Sequence, residues 1–134
     1  MVKIFVDTSA LVALINTAEE NNSSAWDTWN DLIRRGDELI TNNYVIVESI
    51  ALIQNRLGIP VVQKLQTNTI SLLHIVWIDE EQHAAALQNV LAANRRSLSL
   101  VDCSAFKSMR RMGINTVFTF DPHFTEQGFT VIPG

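Results

Sequence analysis

Short apolar runs alternate along the chain with longer stretches in which apolar residues return every three or four positions. This is the pattern of an α/β fold with a mostly parallel sheet. Residues 2–6 predict a buried first strand, and residues 8–16 a short, almost wholly apolar helix. A longer helix is expected over 19–35, opened by the capping-box pattern Thr17-Ala18-Glu19-Glu20 and closed by Gly36. Residues 39–41 form a brief second strand, and 44–57 a hydrophobic helix ending at Gly58. Pro60 opens a helix to about residue 73, and 74–78 make a third strand. Asp79-Glu80-Glu81 starts a helix that runs to about Asn94, and a further helix spans 99–112 and stops at Gly113. Strands at 116–120 and 129–132, with one helical turn between them, finish the chain.

Composition narrows this picture to one folded unit. With 134 residues, 47% of them hydrophobic and 18% charged, the chain can bury a real core, and a single domain over 1–134 is expected. No apolar run approaches the ~20 residues of a membrane span, and Asp7 interrupts the N-terminal apolar residues before a signal-peptide core develops. A soluble, cytoplasmic protein with no membrane partner is expected. The lone Cys103 excludes an internal disulfide and a cysteine-based zinc site. A net charge of −4 argues against a broad basic surface for nucleic acid.

In parallel α/β sheets chemistry gathers beyond the carboxyl ends of the strands, and acids are what stand there. Asp7 ends the first strand in Asp7-Thr8-Ser9-Ala10-Leu11, and Asp121 follows the fourth in Thr119-Phe120-Asp121-Pro122-His123-Phe124. Either alone reads equally well as a helix N-cap, and Ser99-Leu100-Val101-Asp102 fits a capping box. Glu48 has no such explanation, because Tyr44, Val45, Ala51 and Leu52, its neighbours three and four positions away, carry no positive charge. Asp102 likewise has Leu98, Ser99, Ala105 and Phe106 around it. Four carboxylates without local counter-charges repel one another unless divalent cations neutralise the pocket. Such an oxygen-rich site suits Mg²⁺ or Mn²⁺, and hence metal-dependent phosphodiester hydrolysis.

In this order, Asp7-Thr8-Ser9-Ala10-Leu11, Thr41-Asn42-Asn43-Tyr44-Val45-Ile46-Val47-Glu48, Ser97-Leu98-Ser99-Leu100-Val101-Asp102-Cys103 and Thr119-Phe120-Asp121-Pro122-His123-Phe124 closely resemble the PIN-domain family. The resemblance covers nearly the whole chain, whose size without extra domains is similar to that of the VapC-type toxins of toxin–antitoxin pairs. It implies a central parallel sheet flanked by helices, a Mg²⁺- or Mn²⁺-dependent endoribonuclease acting through a metal-activated water, a homodimer, and an antitoxin partner whose tail blocks the site. Carried over by position, Asp7, Glu48, Asp102 and Asp121 would be the catalytic, metal-binding quartet. The family often has a further acid near the start of the helix bearing Asp102, whereas this chain has Asn94-Arg95-Arg96-Ser97.

Around the quartet, Thr8, Ser9 and Thr119 can donate hydrogen bonds to the carboxylates or to substrate phosphate, or simply cap backbone. His123, two residues after Asp121, is a candidate phosphate contact. Setting the four acids aside leaves ten acidic against ten basic residues. Arg95 and Arg96 are then the expected backbone contacts for RNA, ahead of Lys107, Arg110 and Arg111. Weak, metal-dependent RNA binding follows from so few cations. Trp77 is expected in the core, and Trp26 and Trp29 in helix packing. Three alternatives stay open: a PIN-like nuclease that processes RNA without being a toxin, a catalytically silent interaction module, and a phosphotransfer domain. The last is disfavoured because Asp7-Thr8-Ser9 lacks the second acid of an Asp-x-Asp nucleophile and no Lys ends a strand.

Overall fold

The computed structural model describes residues 2–134. Five parallel strands, β1 (Lys3–Val6), β2 (Glu38–Asn42), β3 (His74–Val76), β4 (Thr116–Phe118) and β5 (Thr130–Ile132), lie in the order β3-β2-β1-β4-β5. The helices among the described residues are α1 (Thr8–Ile15), α2 (Asn22–Arg35), α3 (Asn43–Leu57), α4 (Ile59–Asn68), α5 (Glu80–Ala93), α6 (Leu100–Met112) and α7 (His123–Glu126), with a 3₁₀ turn at Ile70–Leu72. This is the expected α/β class with a parallel sheet flanked by helices. No described helix is long and apolar enough to cross a membrane.

The chain winds outward from β1 through β2 to β3, then returns to the other side of β1 for β4 and β5. The order therefore reverses between β1 and β4, and a crevice opens at the carboxyl ends of those two strands. Both strands are buried on two faces, which is why Ile4, Phe5, Val6, Val117 and Phe118 form continuous apolar runs. Gly113, at φ 67°, closes α6 in the left-handed region, and Ile114 N–H then donates to Met109 O at 2.8 Å, turning the chain into β4.

Asn42, fully buried at the end of β2, fixes α3 in place. Its Oδ1 accepts the Val45 N–H at 2.9 Å as N-cap, while its Nδ2 donates to Ser104 Oγ at 3.3 Å and Ser108 Oγ at 3.2 Å on α6. One side chain thus joins β2, α3 and α6. Asn42→Ala is expected to cost about 2–3 kcal/mol, a lost cap plus two buried hydroxyls left without their donor, read as a lower urea midpoint at unchanged slope.

Several sequence expectations are corrected. Helix α2 starts at Asn22, not at residue 19, and its N-cap Asn21 makes no side-chain capping bond; residues 17–21 are turns in which Asn16 Oδ1 accepts the Ala18 N–H at 3.0 Å. That local Asx turn competes with the Thr17–Glu20 box for the same stretch of backbone. The helix expected over 60–73 ends at Asn68 and continues only as the 3₁₀ turn. Trp77 is 71% exposed rather than core, because β3 stops at Val76 and Trp77 falls on the connection to α5. Trp29 is buried as expected, whereas Trp26, expected to pack with it, is 39% exposed; Cys103 packs inward.

Candidate active site

Asp7 is the first residue past β1 and the N-cap of α1, so strand and helix together fix its direction. Its Oδ2 accepts hydrogen bonds from Ser9 Oγ at 2.9 Å, Ser9 N–H at 3.4 Å and Thr119 Oγ1 at 2.8 Å. Thr119, just past β4, also accepts the Asp121 N–H at 3.0 Å, and Ser9 Oγ accepts the Phe120 N–H at 2.9 Å. These hydroxyls clamp the ends of β1 and β4 across the crevice, and their own oxygens lie 3.0 Å apart.

On α6, Asp102 closes the capping box read from the sequence: Ser99 Oγ accepts the Asp102 N–H at 3.0 Å, and Asp102 Oδ2 accepts the Ser99 N–H at 3.1 Å. Asp121 Oδ1 accepts the His123 N–H at 2.9 Å. The capping and catalytic readings of these acids are therefore compatible. Asp7, Asp102 and Asp121 each use one oxygen to anchor the backbone or a hydroxyl.

The four predicted acids share one cleft of about 280 Å³, lined also by Thr8, Ser9, Leu52, Arg56 and Phe120. Asp102, Asp121 and His123 come closest together, each offering a ligand atom within 4.8 Å of the others. His123 Nδ1 lies 2.9 Å from Asp121 Oδ1 and 3.7 Å from Asp102 Oδ2, yet it is buried without a hydrogen bond of good direction. Proximity without alignment makes this a close polar contact rather than a hydrogen bond. Glu48 on α3 is half-buried on the cleft wall.

The charges are costly as they stand. Burial, with a smaller push from the Asp102 carboxylate, raises the Asp7 carboxyl from 3.8 to about 6 against the opposing hydrogen bonds of Thr119 and Ser9. Asp102 is raised too, first by burial and then by the Asp121 carboxylate. Thr119 supplies the largest of the opposing effects on Asp7. Thr119→Val is accordingly expected to move the Asp7 carboxyl further up, visible as a later titration of its side-chain carbon by NMR.

A hard divalent cation fits this set of residues. The donors are carboxylate oxygens that pair with no Lys or Arg among the described residues, and Thr8 Oγ1, on the cleft wall, is a buried hydroxyl with no partner among them.

Outside the cleft, Arg95 pairs with Glu126 at 2.9 Å, and Arg96 is exposed; neither lines the cleft. Arg110 is engaged over the Phe129 ring at 5.1 Å and donates to Gln127 Oε1 at 2.9 Å. The cation that does line the cleft, Arg56, was not singled out in the sequence. Its signal was present, since Glu48, Leu52 and Arg56 recur every four residues along one side of α3.

Comparison with known proteins agrees with this geometry. The 23S rRNA-specific endonuclease VapC20 of Mycobacterium tuberculosis is 28% identical over 132 residues, covering 96% of this chain and 97% of that one. The crystal structure of VapC20, a sarcin–ricin loop cleaving toxin, superimposes with a TM-score of 0.84 at 25% identity, covering 95% of this chain and 96% of that one. VapBC2 from Rickettsia felis, bound to a promoter DNA fragment, shares the fold at a TM-score of 0.71 and 12% identity, over 98% of this chain and 97% of that one. FitAcB from Neisseria gonorrhoeae does so at 0.68 and 15%, over 96% and 95%. The model of the PIN domain matches residues 4–129, from the second residue of β1 to the residue before β5, and the chain belongs to that family.

Proposed function

We propose that the chain, acting as one nuclease unit over residues 1–134, is a Mg²⁺- or Mn²⁺-dependent endoribonuclease and the toxin of a VapBC-type pair. The observation that carries this reading is the single cleft that gathers Asp7, Glu48, Asp102 and Asp121 at the strand switch point. Likeness to VapC20 along nearly the full length of both chains supports ribosomal RNA as the substrate class, with the sarcin–ricin loop of 23S rRNA as the first RNA to test.

Asp7, Asp102, Asp121 and Glu48 would hold the ion. When bound, it supplies counter-charge to the phosphodiester and a water acidic enough to attack it at neutral pH. The chain's own residues supply order. Ser9 and Thr119 aim Asp7 by loading one of its oxygens with three hydrogen bonds, and the Ser99 N–H holds one oxygen of Asp102. His123 stands against Asp121 and Asp102, where it steadies both carboxylates. Thr8 Oγ1 is free to donate to the phosphate or to a bound water.

An antitoxin partner is supported by the toxin–antitoxin proteins among the structural neighbours, and we extend to this chain a homodimer and a cytoplasmic location, where ribosomal RNA is found. The test is cleavage of a synthetic sarcin–ricin stem-loop and of total RNA by wild type and Asp102→Asn, with Mg²⁺, Mn²⁺ or EDTA. Cleavage that needs the cation and falls in the folded variant is expected. Equal cleavage by both proteins, or none with either cation, overturns the reading.

A further inference from the structure

Arg56 is a cation in a cleft to whose lining Asp7, Glu19, Glu48, Asp102 and Asp121 bring five carboxylates. Among the described residues no carboxylate lies within ion-pair distance of its guanidinium, although five share its cleft. It is therefore not a counter-charge consumed by the acids. Its place follows from α3, where Glu48, Leu52 and Arg56 form a stripe along the cleft wall and eight residues of helix set Arg56 about 12 Å along the axis from Glu48. Arg56 is exposed and sits one helical turn beyond Leu52 on the same stripe.

A polyanion entering such a cleft is repelled by its five carboxylates and attracted by Arg56. Building on the nuclease reading above, we propose that Arg56 binds substrate, holding a phosphate of the RNA other than the scissile one. A guanidinium suits the task because its planar fork can grip two phosphate oxygens at once while reading no base. The contact lies away from the reacting atoms, so it stabilises the bound RNA and the transition state alike; its loss raises KM and leaves kcat in place. Arg56 also occupies the last turn of α3, where any cation suits the helix dipole. A purely structural role there would lower the melting temperature slightly and leave KM unmoved.

The experiment measures steady-state cleavage of the sarcin–ricin stem-loop by wild type, Arg56→Gln and Arg56→Lys across a salt series with saturating Mg²⁺, after confirming equal melting temperatures. Arg56→Gln is expected to raise KM about ten-fold with kcat within about two-fold. Its log KM against log salt should be shallower by about 0.7, the loss of one phosphate contact. Lysine should recover most of the KM and the slope, being a point charge without the fork. Unchanged KM and salt slope in Arg56→Gln, or a fall in kcat at unchanged KM, overturns the assignment while the nuclease reading stands. Failure of wild type to cleave RNA with any divalent cation overturns the nuclease reading, and this contact with it.

Discussion

Replacing Asp7 with Asn is expected to suppress RNA cleavage at least about 100-fold, the scale on which a preorganised electrostatic group acts, while making the metal-free protein more stable at neutral pH. The two effects share one cause. Asp7 is 3% exposed, and burial lifts its carboxyl to about 6, so the folded protein holds that proton more tightly than the unfolded chain. For a carboxyl raised in this way the folded state is favoured below the unfolded value. The advantage disappears as pH climbs from about 4 to about 6, and the full cost of the buried charge, about 3 kcal/mol as an upper figure, is present at pH 7. Asn carries no charge and keeps an oxygen for the Ser9 and Thr119 hydroxyls.

The wild-type protein in EDTA should therefore melt below Asp7→Asn at pH 7.5, with the gap closing by pH 4. Mg²⁺ or Mn²⁺ should then raise the wild-type midpoint in proportion to the logarithm of its concentration and leave the variant nearly unmoved. Urea melts at the two pH values, with and without cation, read every part of this. A variant less stable than wild type at pH 7.5 in EDTA would mean that the Asp7 charge is already compensated within the protein and that the cleft needs no ion.

Much of this site was legible in the chain because its chemistry coincides with local structure. Asp7 ends a run of apolar residues and precedes Thr8-Ser9, so a single reading of the first strand and its helix places both the acid and its hydroxyl donor. Glu48 announced itself by contrast with the apolar residues one turn away. Asp102 was legible twice, as a capping-box acid and as a carboxylate without local counter-charge, and the structure shows one side chain satisfying both descriptions.

What stayed hidden depends on distant parts of the chain meeting. The spacing of Arg56 from Glu48 is visible in the sequence, but only the packing of α3 beside α1 turns that spacing into a shared wall. His123 was read as a phosphate contact on its distance from Asp121; its approach to Asp102 needs α6 and the β4–α7 connection to converge. Asn42 stood in the sequence only as part of the Thr41–Glu48 motif, and its two serine partners lie 62 and 66 positions away. Trp77 was misread because an apolar run does not announce where a strand stops, and one residue past the edge of the sheet is enough to expose an indole.

The coupling of core and cleft makes Phe118→Ala the most damaging of the core substitutions expected here. Phe118 is fully buried at the end of β4, pairs in register with Val6, accepts the Asp7 N–H on its carbonyl at 3.1 Å, and meets the edge of Phe120 at 6.1 Å. Truncation removes the whole phenyl ring from the strand beside the central one, at a cost of about 3–5 kcal/mol. For a domain of this size that should lower the melting temperature by roughly 10–20 °C and consume much of the ordinary stability margin. The loss should also reach catalysis in molecules that remain folded, because Thr119 and Asp121 follow Phe118 directly and owe their direction to the register of β4 with β1. Phe118→Leu, which refills most of the volume, should recover most of both losses. Melts at fixed pH, together with cleavage per folded molecule well below the transition, separate the two effects. Stability lost with cleavage per folded molecule intact would show that the hydroxyl clamp between Ser9, Thr119 and Asp7 holds the acids without help from the packing beneath it.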